Sequence, residues 1–203
     1  MGEIASNTEE NIRNAAHKIF HQKGFDGTSV QDIATEAGTT KSMVNYYFRT
    51  KEKLFSEIFH NEFRNLFSSI GGFLRADLPL KQKVEKIVEL DIDRLMGMSD
   101  LPIFILTEVH HNPEIVFNTM ENLPVQMVLN VLDNQIKDEA AKGIIRFIKA
   151  RDLMLNIQAL TIFPFLGKPM LKKIFGMDET AFMEMLQQRK KEVPEIIWNS
   201  IKV

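Results

Sequence analysis

Apolar side chains recur at Ile12, Ala15, Ala16, Ile19 and Phe20, the i, i+3, i+4, i+7, i+8 spacing that lays one stripe along a helix. Thr8 is placed to cap this helix, Glu9 and Glu10 fall in its first turn, and Gly24 ends it. A second, shorter stripe runs through Val30, Ile33, Ala34 and Ala37, with Thr28 or Ser29 as its cap and Gly38 as its stop. A third begins after Thr39 or Thr40 and runs through Lys41, Met43, Val44 and Tyr47, and a fourth opens at Lys51 behind Thr50. Leu54, Phe55, Ile58, Phe59, Phe63, Leu66, Phe67 and Ile70 give the fourth a wide apolar face, which Gly71 and Gly72 are expected to end. A helix of about twenty residues spans about 30 Å, enough to join the first helices to whatever follows.

The turn between the second and third helices is very tight and contains Gly38. Two helices joined in this way form either a tight helical hairpin of a bundle or a helix-turn-helix, whose second helix lies in the DNA major groove, and the tyrosines and cations that follow favour the second. Ala34 is small where the helices approach, Val44 seals the crossing, and Ile33 and Tyr47 complete the inner face. The remaining chain is also helical in pattern, with helices expected at 80–97, 101–111, 113–121, 124–141, 152–166 and 179–201. Asn112-Pro113-Glu114 is a strong helix start; Pro164 and Pro169 should kink or divide their segment, and Pro194 should interrupt the last helix. The strongest strand-like run is the short IIRFI after Gly143, so the class is all-α. The expected architecture is an N-terminal three-helix helix-turn-helix domain over 1–52 and a larger C-terminal helical domain over 53–203.

Composition narrows the function. With 203 residues and 44% hydrophobic content the chain can bury a sizeable core, and its absence of cysteine excludes disulfides, thiolate metal sites and cysteine nucleophiles. No run approaches the roughly 18 apolar residues of a membrane span, and the opening residues have neither a basic nor an apolar segment. A cytoplasmic protein without a membrane partner is expected. The formal net charge of -2 argues against a general coat for nucleic acid. Residues 39–53, however, hold Lys41, Arg49, Lys51 and Lys53 against Glu52 alone, a local +3.

The turn from Phe25 to Ser29 (FDGTS), VQDIATEAG from Val30 to Gly38, and VNYYFRTKEKLF from Val44 to Phe55 occur in that order. In this the chain resembles the TetR (TetR/AcrR) transcriptional regulators. The resemblance is close over about the first sixty residues; beyond them it extends to length, helical character and the pattern around IFPFLGKPML. It implies a dimer that binds double-stranded DNA at a near-palindromic operator, most often as a repressor, and releases it when a small molecule shifts the fourth helix. No cofactor and no catalysis are implied.

Residue roles follow from the chemistry of groove recognition and from the resemblance. Thr40, Lys41, Ser42 and Asn45 avoid the inner face of the third helix and are candidates for base or groove contacts, Asn45 through bidentate pairing with adenine. The resemblance implies that the Tyr46 hydroxyl meets a phosphate; Tyr47 divides between core and phosphate. Lys51 opens the fourth helix, where backbone N–H groups and the positive dipole end favour phosphate, and Thr28 could act similarly at the second. Phe48 is expected to lock the turn between the third and fourth helices.

In the larger domain Met96, Met98, Met120, Met127 and Met154, with Phe104, Phe117 and Phe163, could line an adaptable cavity for the effector, with Glu108, His110, His111 and Gln158 orienting it. Leu153, Ile157 and Leu160 in one late helix and Phe182, Met185, Leu186, Val193, Ile196 and Ile197 in the last suit either an intramolecular core or a dimer interface, and the resemblance favours the interface. One rival reading comes from another class: Glu57-x-x-His60 and Glu108-x-x-His111 have the spacing of di-iron carboxylate bundles. That site needs further inward carboxylates, and the spacing arises easily among 27 acidic residues. His17 and His21, at i and i+4 beside the first stripe, are expected to be ordinary surface histidines.

Overall fold

The computed structural model describes the backbone of residues 2–121, 123 and 125–203, with the side chains in those ranges other than residues 2–6, 63, 66, 67, 69 and 119. Eleven helices follow one another among these residues: α1 (Gly2–Lys23), α2 (Val30–Glu36), α3 (Lys41–Phe48), α4 (Lys51–Arg75), α5 (Leu80–Gly97), α6 (Leu101–His111), α7 (Pro113–Met120), α8 (Val125–Ala141), α9 (Ala150–Leu166), α10 (Lys168–Phe175) and α11 (Glu179–Ile201). The fold class is all-α, as expected. An isolated antiparallel bridge between Ile145 and Lys202 is all that the IIRFI run forms.

Local chemistry chooses the helix starts. Ser29, not Thr28, caps α2 in a reciprocal capping box with Asp32, and Thr40, not Thr39, caps α3 by accepting from the Met43 N–H. Thr50 accepts from the Lys53 N–H at the start of α4. Gly38 takes φ +62 in the turn between α2 and α3, a conformation that costs a side-chain-bearing residue energy.

Several helices run further than their sequences suggest. α1 begins at Gly2, which places Thr8 inside it. α4 passes through Gly71 and Gly72 to Arg75, because Leu74 is buried and its carbonyl accepts from the equally buried Lys83 ammonium at 2.6 Å. α11 is continuous through the buried Pro194, and α9 accommodates Pro164 in its last turn before Gly167 ends the helix. The additional short helix α10 then starts with Pro169 in its first turn, where a missing N–H costs nothing.

The chain divides into two compact units. The first comprises residues 1–66 with 103–123; the second comprises 67–102 with 124–203, so α4 and α6 each contribute to both. In the first unit α1, α2 and α3 pack together over Ile12, Ala16, Phe20, Ile33, Ala34 and Val44, all buried. Phe20 and Phe25 each meet Phe55 edge-on, at 5.0 and 5.1 Å between centroids. Each such ring, once buried, stabilises the fold by roughly 1.5–3 kcal/mol. The expected Phe63, Leu66 and Phe67 of the α4 face lie outside the described side chains.

The second unit is built on α5, α9 and α11, with α8 and α10 against α9. Its core includes Val84, Ile87, Ile92, Leu132, Leu153, Ile157, Phe182 and Leu186. Among the described residues no helix is long and apolar enough to cross a membrane.

Candidate nucleic-acid interface

Helix α3 is held by Val44 and Phe48, 3% and 4% exposed, while Lys41, Ser42, Asn45 and Tyr46 face outward. Tyr46 is 76% exposed, an unusual cost for an aromatic ring that packs only edge-on against Tyr47, at 5.2 Å between centroids. Tyr47 is half-buried. Thr40 is exposed, but its hydroxyl is engaged as the α3 cap. The outward face therefore brings together a cation, a hydroxyl, an amide and a phenol within two turns, the donor types that phosphates and base edges accept.

The loop before α2 fixes this face in place. Lys51 sends its ammonium to the carbonyls of Phe25 and Thr28, at 2.8 and 3.0 Å, and stands 4.0 Å from the centre of the Phe25 ring. From the other side the buried carboxylate of Glu108 on α6 accepts from the Phe25 N–H at 2.8 Å and from the Asn112 side chain at 3.0 Å. Gly27 is required within the loop: a Cβ there would lie 2.3 Å from the Lys23 carbonyl oxygen.

Two of the expected phosphate contacts are altered by this construction. Thr28 is 3% exposed and its hydroxyl donates to the Gly24 carbonyl at 2.6 Å, so it tightens the loop and does not face outward. Lys51 commits two of its three donors to the loop, which makes it a clamp on the start of α2 before anything else. The start of α4 also has an acidic occupant: its own backbone N–H, with the Thr50 hydroxyl, holds the Glu52 carboxyl below its ordinary range. Asp32 is likewise lowered at the start of α2, first by Lys23 at 2.8 Å and then by Ser29. Lys41, Arg49 and Lys53 remain exposed on this side of the sequence's basic cluster.

The expected effector residues are divided between the two units. Phe104 is packed in the first unit among Phe55, Phe59 and His21, Glu108 is spent on the Phe25 loop, and His111 is exposed. In the second unit Met127 is 51% exposed, and Met96 borders an open depression of about 930 Å³ along α11, lined by Met183, Gln187 and Lys191 among others. Gln158 donates to Asp91 at 2.7 Å, with Thr161 also bonded to that carboxylate at 3.4 Å. Burial is the largest influence on Asp91 and outweighs these bonds, pushing its pKa up to about 6.

The expected dimer interface is corrected. Leu153, Ile157, Phe182, Leu186, Val193 and Ile197 are at most 3% exposed in the single chain, so they are core and have no surface to offer a partner. Leu160 and Met185 are half-buried. The exposed apolar positions on these helices are Leu155 and Phe163 of α9 and Ile196 of α11, at 66%, 53% and 50%; the sequence reading singled out Phe163 for the cavity and Ile196 for the interface, and passed over Leu155.

The di-iron reading also fails on geometry. The Glu57 carboxylate pairs with Arg13 at 3.2 Å, Glu108 is bonded to backbone, and His111 is exposed. Among the described residues the group of three metal-type ligands that does converge is His17, His21 and Glu62, where the two histidines were expected to be ordinary surface residues. The i, i+4 pair of histidines on α1 was the available signal; Glu62, 41 residues beyond His21, had none.

The sequence pattern of the family described as bacterial regulatory proteins, tetR family, matches residues 12–58, which cover α2, α3 and the regions that hold them. The HTH-type transcriptional repressor NicS of Pseudomonas putida is 32% identical over 108 residues, 53% of this chain and 50% of that protein. The HTH-type transcriptional regulator AcrR of Shigella flexneri is 39% identical over 54 residues, 27% of this chain and 25% of that protein. These matches thus span half or less of the relatives' own length. A crystal structure of a TetR family transcription regulator from Marinobacter aquaeolei superimposes over 100% of this chain and 99% of that one, with a TM-score of 0.66 at 16% identity, a likeness of fold. The helix-turn-helix segment thus carries the sequence pattern of the tetR family of bacterial regulatory proteins, and the chain along its whole length has a fold like that of the Marinobacter aquaeolei regulator.

Proposed function

We propose that this protein is a transcriptional regulator, most simply a repressor, that binds a near-palindromic operator as a homodimer and is released by a small molecule. The observation that carries the reading is the outward face of α3, where Lys41, Ser42, Asn45 and Tyr46 are presented on a base of buried Val44 and Phe48. Lys41 and Tyr46 serve phosphates, and Ser42 and Asn45 read base edges; Lys51 offers its remaining donor to phosphate while positioning α2. Residues 1–52 are the DNA-binding domain in this reading, and 53–203 receive the effector and the partner subunit.

Two-fold symmetry would place the two recognition helices about 34–36 Å apart, one turn of DNA. The outer faces of α9 and α11, with Leu155, Phe163 and Ile196, supply the apolar surface for a partner. Gln158 and Asp91 supply hydrogen-bonding groups within the α5 and α9 core for an effector bearing polar groups of its own. The repressor sense is supported by the name of the Pseudomonas putida relative.

Selection of bound duplexes from a random library, followed by fluorescence anisotropy on the enriched sequence, tests the reading. A palindromic consensus bound far more tightly than random DNA is expected, and enrichment of no sequence would overturn it.

A further inference from the structure

We propose that His17, His21 and Glu62 form a binding site for a divalent transition-metal ion of the zinc class, which ties α1 to α4 beneath the helix-turn-helix. His17 and His21 stand one helical turn apart on α1, so their imidazoles share a face; the rings stack with centroids 4.4 Å apart. Both direct Nε2 to the same oxygen of Glu62 on α4, Oε1, at 2.6 Å from His17 and 3.1 Å from His21. The three ligand atoms all lie within 4.8 Å of one another.

The donor set selects the ion. Two imidazole nitrogens and one carboxylate oxygen, with no sulfur, suit zinc and its late first-row neighbours better than the all-oxygen preference of calcium or magnesium. With metal–nitrogen and metal–oxygen bonds of about 2.0–2.2 Å in a tetrahedral shell, neighbouring ligand atoms stand about 3.3 Å apart. The two histidine–carboxylate pairs, at 2.6 and 3.1 Å, therefore need to widen by less than about 1 Å to admit the ion.

Three protein ligands leave a fourth position for water, the arrangement of an exchangeable site and not of a closed structural one. Access is graded in the same sense: the His17 side chain is 39% exposed, whereas those of His21 and Glu62 are 14% and 12% exposed. An ion can enter past His17 and finish against groups already fixed by packing. The His21 ring is one of these, since it also stacks on Phe104 at 4.5 Å.

The site joins two helices with different neighbours. α1 packs on α2 and α3, and α4 begins at the Lys51 clamp, so an ion held by both would stiffen the support of the recognition helix. Binding only to the folded form would also raise thermal stability with metal concentration. Metal binding itself does not depend on the DNA-binding reading.

The test is isothermal titration calorimetry of the full chain, freed of any affinity tag and stripped with a chelator, against zinc chloride. Cobalt(II) absorption serves as a second probe, and thermal melting with and without zinc as a third. His17→Ala, Glu62→Gln and the control His111→Ala are compared with wild type. One ion per chain is expected, with affinity at least tenfold weaker in His17→Ala and Glu62→Gln and unchanged in His111→Ala. Zinc should raise the wild-type melting midpoint and leave the two site variants unmoved. Absence of saturable binding would overturn the site and leave a plain hydrogen-bonded tie; equal binding by wild type and His17→Ala would place the ion elsewhere. His17 is the most exposed ligand, so its variant decides the matter even if Glu62→Gln unfolds.

Discussion

The Lys51 ammonium lies 2.8 Å from the carbonyl oxygen of Phe25 and 4.0 Å from the centre of its ring, so one cation at the start of α4 holds both the backbone and the side chain of the loop before α2. Lys51→Ala should therefore lower stability as well as DNA affinity. Hydrogen bonds from a charged donor contribute about 1.5–3 kcal/mol, and a loss of that order in urea unfolding is expected. If Lys51 acted on phosphate alone, unfolding would be unchanged and only the salt slope of binding would fall, by about one.

Asn45 and Tyr46 make the opposite case, because both are exposed and neither supports the core. Asn45→Ala should cost about 1–3 kcal/mol of operator binding and relax selectivity at one base pair. Tyr46→Phe should weaken binding to all sequences alike. Both variants should unfold within about 0.5 kcal/mol of wild type, as surface substitutions do. Anisotropy on matched and mismatched duplexes, with urea unfolding beside it, separates the roles.

Asp91 gives the fold a pH dependence. Its pKa is raised from 3.8 to about 6 in the folded chain, by burial against the weaker opposing influence of Gln158, Thr161 and Arg94. The folded form thus holds this proton more tightly than the unfolded form does. The stability it contributes is fully present below pH 3.8 and is lost as pH rises through about 6. The difference is worth up to about 3 kcal/mol. Asp91→Asn, which keeps an oxygen for Gln158, should be more stable than wild type at about pH 7.5, and the gap should shrink steadily down to about pH 4. A constant gap across urea titrations in that range would mean that Asp91 is not the group responsible.

Leu153 and Leu155 are two residues apart on α9 and predict contrasting variants. Leu155 is 66% exposed and Leu153 1%. Leu155→Glu together with Phe163→Glu should yield a folded monomer by light scattering. Leu153→Ala should instead destabilise the fold by about 2–5 kcal/mol, through lost burial and a cavity. A dimer that survives Leu155→Glu with Phe163→Glu would move the interface off the outer face of α9.

Much of the first unit could be read locally. The starts of α2, α3 and α4 depend on a serine or threonine bonded to an N–H three residues on, and the turn at Gly38 depends on one permissive residue. Such signals sit within a few positions of what they determine. The two late stripes were equally visible, but periodicity alone does not say whether another helix of the same chain or a partner covers them. Leu153, Ile157, Phe182 and Leu186 were accordingly assigned to an interface although α5, α9 and α11 bury them together.

By itself, then, the sequence determined the all-α class, the helix-turn-helix, and the outward chemistry of Lys41, Ser42, Asn45 and Tyr46, because capping and periodicity act over one or two turns. Tertiary structure alone decided what depends on residues far apart in the chain. It carried α4 past Gly71 and Gly72 by giving the Leu74 carbonyl a donor in Lys83, and it turned Thr28 inward. It set Glu108 against Phe25 across 83 residues and brought His17 and His21 of α1 onto one carboxylate of α4. Each of these is a polar group whose partner is chosen by packing, since a buried donor or acceptor must be satisfied by whatever the fold places beside it.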